Sequence, residues 1–223
     1  MRDYIRNEEY FNKFIEEDSN RVTNLSKKLN DNEVRPERIM PVRQGIFRIK
    51  LGVIIAKYSR GDDLTSLQDD FKEIYKEWVK DFLSPHAYNE NLRMISLAVL
   101  FGVESEMREL ASQKLKENHV NDWLIHFLLG ESQTELELMF QDRFHTLKEL
   151  IKSSEQAILL KRYLEKEWYN KDCDCYEAHK SKQNIYYGYW SFEAGAIAKI
   201  LNLDDSSLKD VPYYPYDLVH YKK

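Results

Sequence analysis

The sequence has few of the residues that most often interrupt helices, with seven glycines and five prolines among 223 residues. Good helix formers such as Leu, Lys and Glu are common, and no run of strictly alternating polar and apolar residues indicates a strand. The composition therefore predicts an all-α protein. An apolar fraction of 43% is close to that of globular proteins and argues against a disordered chain.

Long apolar runs are also missing. No stretch approaches the ~18 consecutive apolar residues expected of a membrane-spanning helix, and the charged start MRDYIRNEEYF lacks the apolar core of a signal peptide. We therefore expect a cytoplasmic protein that makes no membrane contact. The two cysteines, Cys173 and Cys175, lie too close in sequence for a useful structural disulfide, so we expect reduced thiols.

The short motifs of common enzyme classes are absent from the sequence. It contains no G-x-S-x-G elbow, no H-E-x-x-H pair, no phosphate-binding loop and no dinucleotide fingerprint. We therefore predict no catalytic residue and no cofactor, and we do not expect an enzyme. Cys173, Cys175 and His179 are conceivable soft metal ligands, but the spacing C-x-C-x3-H has no obvious fourth ligand, so we predict no metal site.

The formal charge of −5 comes from 38 acidic and 33 basic residues. A modestly acidic protein is poorly suited to nucleic acid, because phosphates need a positive surface. It is better suited to a basic partner, since opposite fields accelerate the encounter of two proteins.

Apolar residues recur at three- and four-residue steps along most of the chain, as in amphipathic helices. The predicted helices cover residues 2–29, 41–59, 67–82, 89–101, 104–118, 123–128 and 154–168, with a last helix from Trp190 to Leu201. Residues 131–144 are ambiguous, although Leu136, Met139 and Phe140 favour another helical turn. Short connections predict an antiparallel stack of about eight to ten helices with an aromatic-rich C-terminal segment.

The C-terminal segment, from Tyr186 to Tyr221, combines many aromatic residues with a helix of small residues. Gly188 and Gly195 stand among bulky residues, which indicates that another backbone or ring packs closely there. Tyr213 and Tyr214, beside Pro212 and Pro215, have two interpretations. They form an exposed anchor for a partner, or they pack back over the Trp190 helix with their hydroxyl groups in water.

A pair of carboxylates, Asp204 and Asp205, falls where this last helix ends. Capping of free backbone amides is the favoured role for at least one of them. The alternative is a metal-dependent or acid–base hydrolase that uses these carboxylates with Glu193, His179 or His220. Asp204 and Asp205 also belong to a stretch, 196–208, that resembles residues 54–67, and either duplication or chance capping chemistry explains the likeness.

Three ordered motifs in the C-terminal part resemble the PoNi family, the immunity proteins of polymorphic nuclease toxins called PoNe. They are YGYWSFEA from Tyr187, LDDSSL from Leu203 and YYPYDL from Tyr213. The N-terminal half resembles the other module of the family more loosely, through residues 48–58 and the break at residues 61–63. The resemblance implies an N-terminal helical module of residues 1–115 and a C-terminal helical module of residues 116–223, packed as one compact unit.

The resemblance implies a cytoplasmic, α-helical antitoxin that binds and silences a nuclease delivered by a bacterial secretion system. The toxins are similar to restriction-type nucleases that have a basic surface toward DNA, so an acidic surface of the antitoxin would block the DNA-binding or active site. The partner-binding candidates are Glu131, Glu135, Glu137, Asp142, Asp204, Asp205, Asp210, Tyr213, Tyr214 and Asp217. The matching motif is architectural, and its structural residues are Trp168, Tyr187, Gly188, Tyr189, Trp190, Phe192, Glu193, Tyr214, Pro215 and Leu218. An alternative function is a non-enzymatic helical scaffold for another partner.

Overall fold

The computed structural model describes residues 1–131 and 136–222. These residues form helices and loops without a strand, which confirms the all-α prediction. The α-helices are α1 (Glu8–Asn30), α2 (Ile39–Arg60), α3 (Leu64–Glu77), α4 (Tyr88–Leu100), α5 (Ser105–Glu117), α6 (Trp123–Leu128), α7 (His145–Leu150), α8 (Gln156–Tyr163), α9 (Tyr169–Lys171), α10 (Phe192–Ile200) and α11 (Tyr216–His220). Two π-helical stretches, Trp78–Phe82 and Leu164–Trp168, continue α3 and join α8 to α9.

The chain divides into two compact units, and each unit is discontinuous in sequence. Unit 1 consists of Met1–Phe82 and Glu177–Gly188, and unit 2 consists of Leu83–Tyr176 and Tyr189–Lys223. The boundary that we predict at residue 115 concerns sequence modules, and it stays a prediction.

In unit 1, the central helix is α2, whose apolar run from Ile46 to Ala56 is mostly buried. Its Lys57 pairs with Asp70 of α3 at 2.7 Å, and its Lys50 pairs with Glu77 at 3.2 Å. Because residue numbers fall along α2 as they rise along α3, the two helices are antiparallel. This arrangement follows from the short connection between them.

The N-terminal residues of unit 1 do not join α1, which begins at Glu8 and not at the predicted Arg2. The backbone amides of Arg2 and Asp3 both donate to the carbonyl of Ser59, each at 2.9 Å. A helix would direct these amides differently. The side chain of Asn7 then caps α1 by accepting a hydrogen bond from the Tyr10 amide.

The Glu177–Gly188 segment completes unit 1 through backbone and hydroxyl contacts. The Tyr186 hydroxyl donates to the buried carboxylate of Asp3. The Tyr10 hydroxyl donates to the Tyr186 carbonyl at 2.9 Å, and the Ser59 hydroxyl donates to the Tyr187 carbonyl at 2.7 Å. These bonds hold a segment that is distant in sequence against α1 and α2.

In unit 2, α10 packs against α4 and α11. Its Ala194, Gly195, Ala196 and Ala198 are buried, and their small size lets neighbouring groups approach the helix backbone. A Cβ added at Gly195 would lie 2.6 Å from Cγ of Pro215, so only glycine fits there. The prediction of a close approach at Gly195 is confirmed.

The predicted helical turn in residues 131–144 is wrong for the described part, residues 136–144, which is irregular. The amide of Met139 donates to Oδ2 of the buried Asp122 at 2.8 Å, whereas a helix would require a backbone acceptor. The segment ends at Phe144, whose left-handed backbone (φ 58°) precedes α7. A contact distant in sequence therefore outweighs the local apolar pattern.

Candidate functional site

The acidic excess of the chain belongs to unit 2. The sequence ranges of unit 1 contain 17 acidic and 18 basic residues, whereas those of unit 2 contain 21 acidic and 15 basic residues. Unit 2 also contains every residue that the sequence predicts to bind a partner. The candidate functional site is therefore the surface of unit 2.

The first group of predicted binding residues lies between α6 and α7. The Glu137 side chain is 77% exposed and pairs with Lys148 at 2.5 Å. Asp142 is also exposed, five residues further along the same irregular segment. Glu135 lies outside the described residues. Glu137 and Asp142 therefore place two carboxylates on the surface of unit 2.

Glu131, in contrast, is held by three neighbours in unit 2. Its carboxylate accepts hydrogen bonds from the Ser112 hydroxyl, from Nδ1 of His126 at 2.7 Å and from Nζ of Lys116 at 3.0 Å. Burial favours the neutral acid, but these donors outweigh burial and lower the pKa of Glu131 below its usual value. The Glu131 carboxylate is therefore already engaged in hydrogen bonds within unit 2.

The ring of His126 lies between two hydrogen-bond acceptors. Nδ1 faces the Glu131 carboxylate, and Nε2 lies 3.0 Å from the carbonyl of Val120. Both ring nitrogens therefore lie within hydrogen-bonding distance of an acceptor, and the Glu131 carboxylate and the Val120 carbonyl together fix the orientation of the ring.

The C-terminal carboxylates separate into exposed and buried groups. Asp204 is exposed and accepts a hydrogen bond from the Ser206 amide at 3.2 Å, whereas Asp205, the residue before the short helix Ser206–Leu208, makes no side-chain cap there. The neighbouring Asp205 is only 3% exposed. It accepts from the Tyr214 hydroxyl at 2.6 Å and faces Nε2 of His220 at 3.0 Å. Asp205 therefore belongs to the interior.

Asp210 and Asp217 are exposed, but the two tyrosines of the predicted binding set are not free surface groups. Tyr214 is buried with its hydroxyl on Asp205. Tyr213 is half-buried, and its ring stacks on Tyr169 with 5.5 Å between centroids. Both rings therefore pack back onto the protein, but the expectation that the hydroxyl groups lie in water is wrong for Tyr214, whose hydroxyl is buried against Asp205.

The predicted motif residues line the interior of the units. Trp168, Tyr189, Phe192, Tyr214, Pro215 and Leu218 are buried, Trp190 and Tyr187 are half-buried, and Gly188 is buried with a φ of 117°. Such a φ value favours glycine strongly. The architectural role that the resemblance implies for the motif stays a prediction.

Glu193 is the buried acid of this motif. Its Oε1 accepts hydrogen bonds from Nε1 of Trp168 at 2.6 Å and from the Ser191 hydroxyl at 2.8 Å. Burial disfavours the charged form and, although the hydrogen bonds oppose it, raises the pKa of Glu193 to about 7. A second buried acid, Asp172, accepts from the Tyr163 hydroxyl at 2.6 Å, and burial raises its pKa as well.

The residues of the alternative hydrolase hypothesis have separate structural partners. Glu193 accepts hydrogen bonds from Trp168 and Ser191, Asp204 accepts one from the Ser206 amide, and Asp205 lies against His220. Cys173 and Cys175 form no disulfide, and their sulfur atoms lie 3.3 Å apart, within hydrogen-bonding distance. Across residues 1–131 and 136–222, no cluster of three or more His, Cys, Asp or Glu side chains is arranged to hold a metal ion.

Unit 1 has a groove of about 540 Å³ that is formed by α1, α2 and α3. Its apolar lining residues are Val22, Val53, Ile54 and Ile74. Its charged lining residues are two lysines and three acids, Lys50, Lys57, Asp69, Asp70 and Glu73, and Lys57 is already paired with Asp70. Because both signs line the groove, its charge does not identify one class of partner.

Two charged side chains of unit 2 make hydrogen bonds to backbone groups that were not predicted from the sequence. Asp122 accepts from the amides of Ile125 at 2.9 Å and Met139 at 2.8 Å, and Nζ of Lys199 donates to the carbonyls of Leu100 and Tyr221, each at 2.7 Å. An aspartate before the apolar run of α6 is a recognisable capping signal. Lys199 gives no comparable signal, because its acceptors come from distant helix ends.

Comparison with known proteins identifies the chain by two family models. The model described as PoNe immunity protein (PoNi), N-terminal, matches residues 2–112, and the model described as PoNe immunity proteins (PoNi), C-terminal, matches residues 120–218. No curated protein matches the chain. Among solved structures, the crystal structure of protein PA2201 from Pseudomonas aeruginosa has a TM-score of 0.61 at 18% identity, covering 82% of this chain and 74% of that one. The likeness to PA2201 concerns the fold alone.

The absence of a long apolar run in the sequence has a structural counterpart. Among the described residues, no helix is both long and apolar enough to cross a membrane.

Proposed function

Because this chain belongs to the PoNi family of PoNe immunity proteins, we propose that it binds a PoNe-type nuclease toxin and neutralises it. The toxin is delivered by a bacterial secretion system, and the chain meets it in the cytoplasm. The match of both family models, which together span most of the chain, is the observation that carries this proposal.

The mechanism that we propose is occlusion by charge and bulk. A nuclease must attract the phosphates of DNA, so its binding surface is basic. Unit 2, with 21 acidic and 15 basic residues, has the complementary sign. Its exposed carboxylates attract the basic surface of the toxin and accelerate association, and the bound antitoxin then excludes DNA.

No catalytic step is part of the proposal. The buried carboxylates that a hydrolase would need, Glu193 and Asp205, already accept hydrogen bonds from Trp168 and Tyr214. Protection therefore depends on the lifetime of the complex, because a few free nuclease molecules damage a chromosome. Slow dissociation requires desolvated anchor side chains in addition to surface charge.

Co-expression with a cognate PoNe-type nuclease tests the proposal. We expect restored growth of cells that the nuclease otherwise kills, and a stoichiometric complex that survives purification. In vitro, the chain should inhibit DNA cleavage, and raising the salt concentration should weaken binding because the attraction is electrostatic. Unchanged killing by the cognate toxin in the presence of the folded chain would contradict the proposal. A stable complex with an unrelated protein instead would favour the scaffold function.

A further inference from the structure

Two large apolar side chains are exposed side by side in unit 2. Met139 is 43% exposed and Phe140 is 41% exposed, in the irregular residues 136–144 that precede α7. The other large apolar residues that are exposed among the described residues of unit 2 are Leu110, Ile158, Tyr176 and Ile200, and none is adjacent to another in sequence. Met and Phe are enriched in protein interfaces, so the adjacent pair marks a contact surface.

The segment that presents these side chains is fixed at its start. Asp122, which is fully buried, accepts a hydrogen bond from the Met139 amide at 2.8 Å. The Trp123 amide donates to the Glu137 carbonyl at 3.0 Å, and the Leu138 side chain between them is buried. The backbone therefore enters the exposed stretch in a defined position.

The end of the segment is also fixed. The Arg143 guanidinium donates to Oδ1 of Asn89 at 3.0 Å and to the Asp172 carbonyl at 2.9 Å. The Arg143 amide donates to the Phe140 carbonyl at 3.0 Å, and the Phe140 ring meets Tyr88 edge-on with centroids 4.9 Å apart. A segment that is ordered before binding loses less conformational entropy when the partner arrives.

The charges around the apolar pair select a basic partner. Glu137 and Asp142 lie on the two sides of the pair in sequence, and both are exposed. Glu137 is already paired with Lys148 at 2.5 Å, so the attraction of a basic partner rests on Asp142. The cation within the segment, Arg143, is already directed toward Asn89 and Asp172. By contrast, the exposed apolar pair of unit 1, Ile39 and Met40, at 39% and 49%, lies between Arg38 and Arg43.

We propose that residues 136–142 of unit 2, here named the anchor loop, form the central contact with the toxin. Met139 and Phe140 insert between apolar groups of the toxin, while Asp142 meets a basic side chain at the rim. This proposal rests on the proposed function, because the basic nuclease is the occupant that the exposed carboxylate of Asp142 attracts. The apolar pair sets the dissociation rate, and the rim carboxylate sets the association rate.

Binding kinetics with a catalytically inactive form of the cognate PoNe-type nuclease domain test the anchor loop. The double variant Met139→Ser/Phe140→Ser should raise Kd by about 100-fold, mainly through faster dissociation. The matched control Ile39→Ser/Met40→Ser removes an equally exposed apolar pair from unit 1, and its Kd should stay within about twofold of wild type.

Charge variants provide a second test that does not disturb the Phe140–Tyr88 contact. Asp142→Lys should slow association by about tenfold at low salt, and the difference should shrink as salt is added. Glu109→Lys, at an exposed carboxylate of α5, is the control for net charge and should have a smaller effect. Thermal unfolding of every variant verifies that the fold is intact.

The outcomes separate the two proposals. If the wild-type chain neither binds the nuclease nor protects cells, the proposed function fails. If it binds and protects, but the anchor-loop variants bind as tightly as the controls, only the anchor loop is wrong. Equal weakening by the unit 1 control would likewise exclude the loop as the central contact. If the apolar double variant does not fold, the result of Asp142→Lys decides.

Discussion

Nε1 of Trp168 donates a 2.6 Å hydrogen bond to Oε1 of Glu193, and both side chains are buried in unit 2. The bond joins the last residue of the π-helical stretch Leu164–Trp168 to the first turn of α10, and these two elements are distant in sequence. Ionisation of this carboxyl group places a negative charge in the interior, which is unfavourable because the charge is removed from water. This relationship makes the stability of the protein depend on pH.

The pH dependence follows from the pKa of Glu193, which burial raises to about 7 from a usual value of 4.5. Between pH 4.5 and about pH 7 the folded protein binds more protons than the unfolded chain, so the free energy of unfolding falls as pH rises. Below pH 4.5 both states are protonated, and above pH 7 the full cost is present. The expected loss is on the order of 3 kcal/mol.

Urea unfolding of the wild type and Glu193→Gln at pH 5 and pH 8 measures this effect. The amide does not titrate, so the advantage of the wild type over the variant should be smaller at pH 8 than at pH 5. Parallel stability profiles of the two proteins would show that Glu193 does not titrate in this range.

Gly195→Ala should destabilise the protein by about 1–3 kcal/mol, because overpacking forces neighbouring groups to shift. The added Cβ would lie 2.6 Å from Cγ of Pro215 and 3.3 Å from a methyl group of Val219. Gly45→Ala in α2 is the matched control, since no atom lies within 4 Å of its added Cβ. It should stabilise the protein by about 0.5–1 kcal/mol through helix propensity. Denaturant unfolding of both variants tests the opposite signs.

Lys199→Met should lower the free energy of unfolding by about 2 kcal/mol, since it leaves two part-buried carbonyls without their charged donor. Its Nζ donates to the carbonyls of Leu100 and Tyr221, at the C-terminal ends of α4 and α11. Lys209→Met, at an exposed position, should change stability by less than about 0.5 kcal/mol. Equal melting temperatures of the two variants would contradict a role for Lys199 in joining these helix ends.

Asp122→Ala should cost about 3 kcal/mol, because the buried carboxylate accepts from the amides of both Ile125 and Met139. Hydrogen exchange at the Met139 amide should accelerate more than exchange in α10. Asp63→Ala removes the exposed cap of α3 and should cost only about 1 kcal/mol. If the Met139 amide stays protected in Asp122→Ala, the anchor loop is ordered by contacts other than Asp122.

Much of the helical structure could be predicted from the sequence, because helix periodicity and capping act over a few residues. The apolar pattern of α2 and the close approach at Gly195 both depend on local residue types. The irregular course of residues 136–144 could not be predicted, since it depends on Asp122.

The sequence by itself therefore determined the all-α class, the family and the sign of the net charge, because these properties depend on composition and on patterns within short segments. Only the tertiary structure decided which carboxylates reach the surface. Asp204 and Asp205 are neighbours in sequence, yet one is exposed and the other accepts a hydrogen bond from Tyr214 in the interior. The physical reason is that burial and ion pairing depend on groups brought together by packing, which spacing along the chain does not specify.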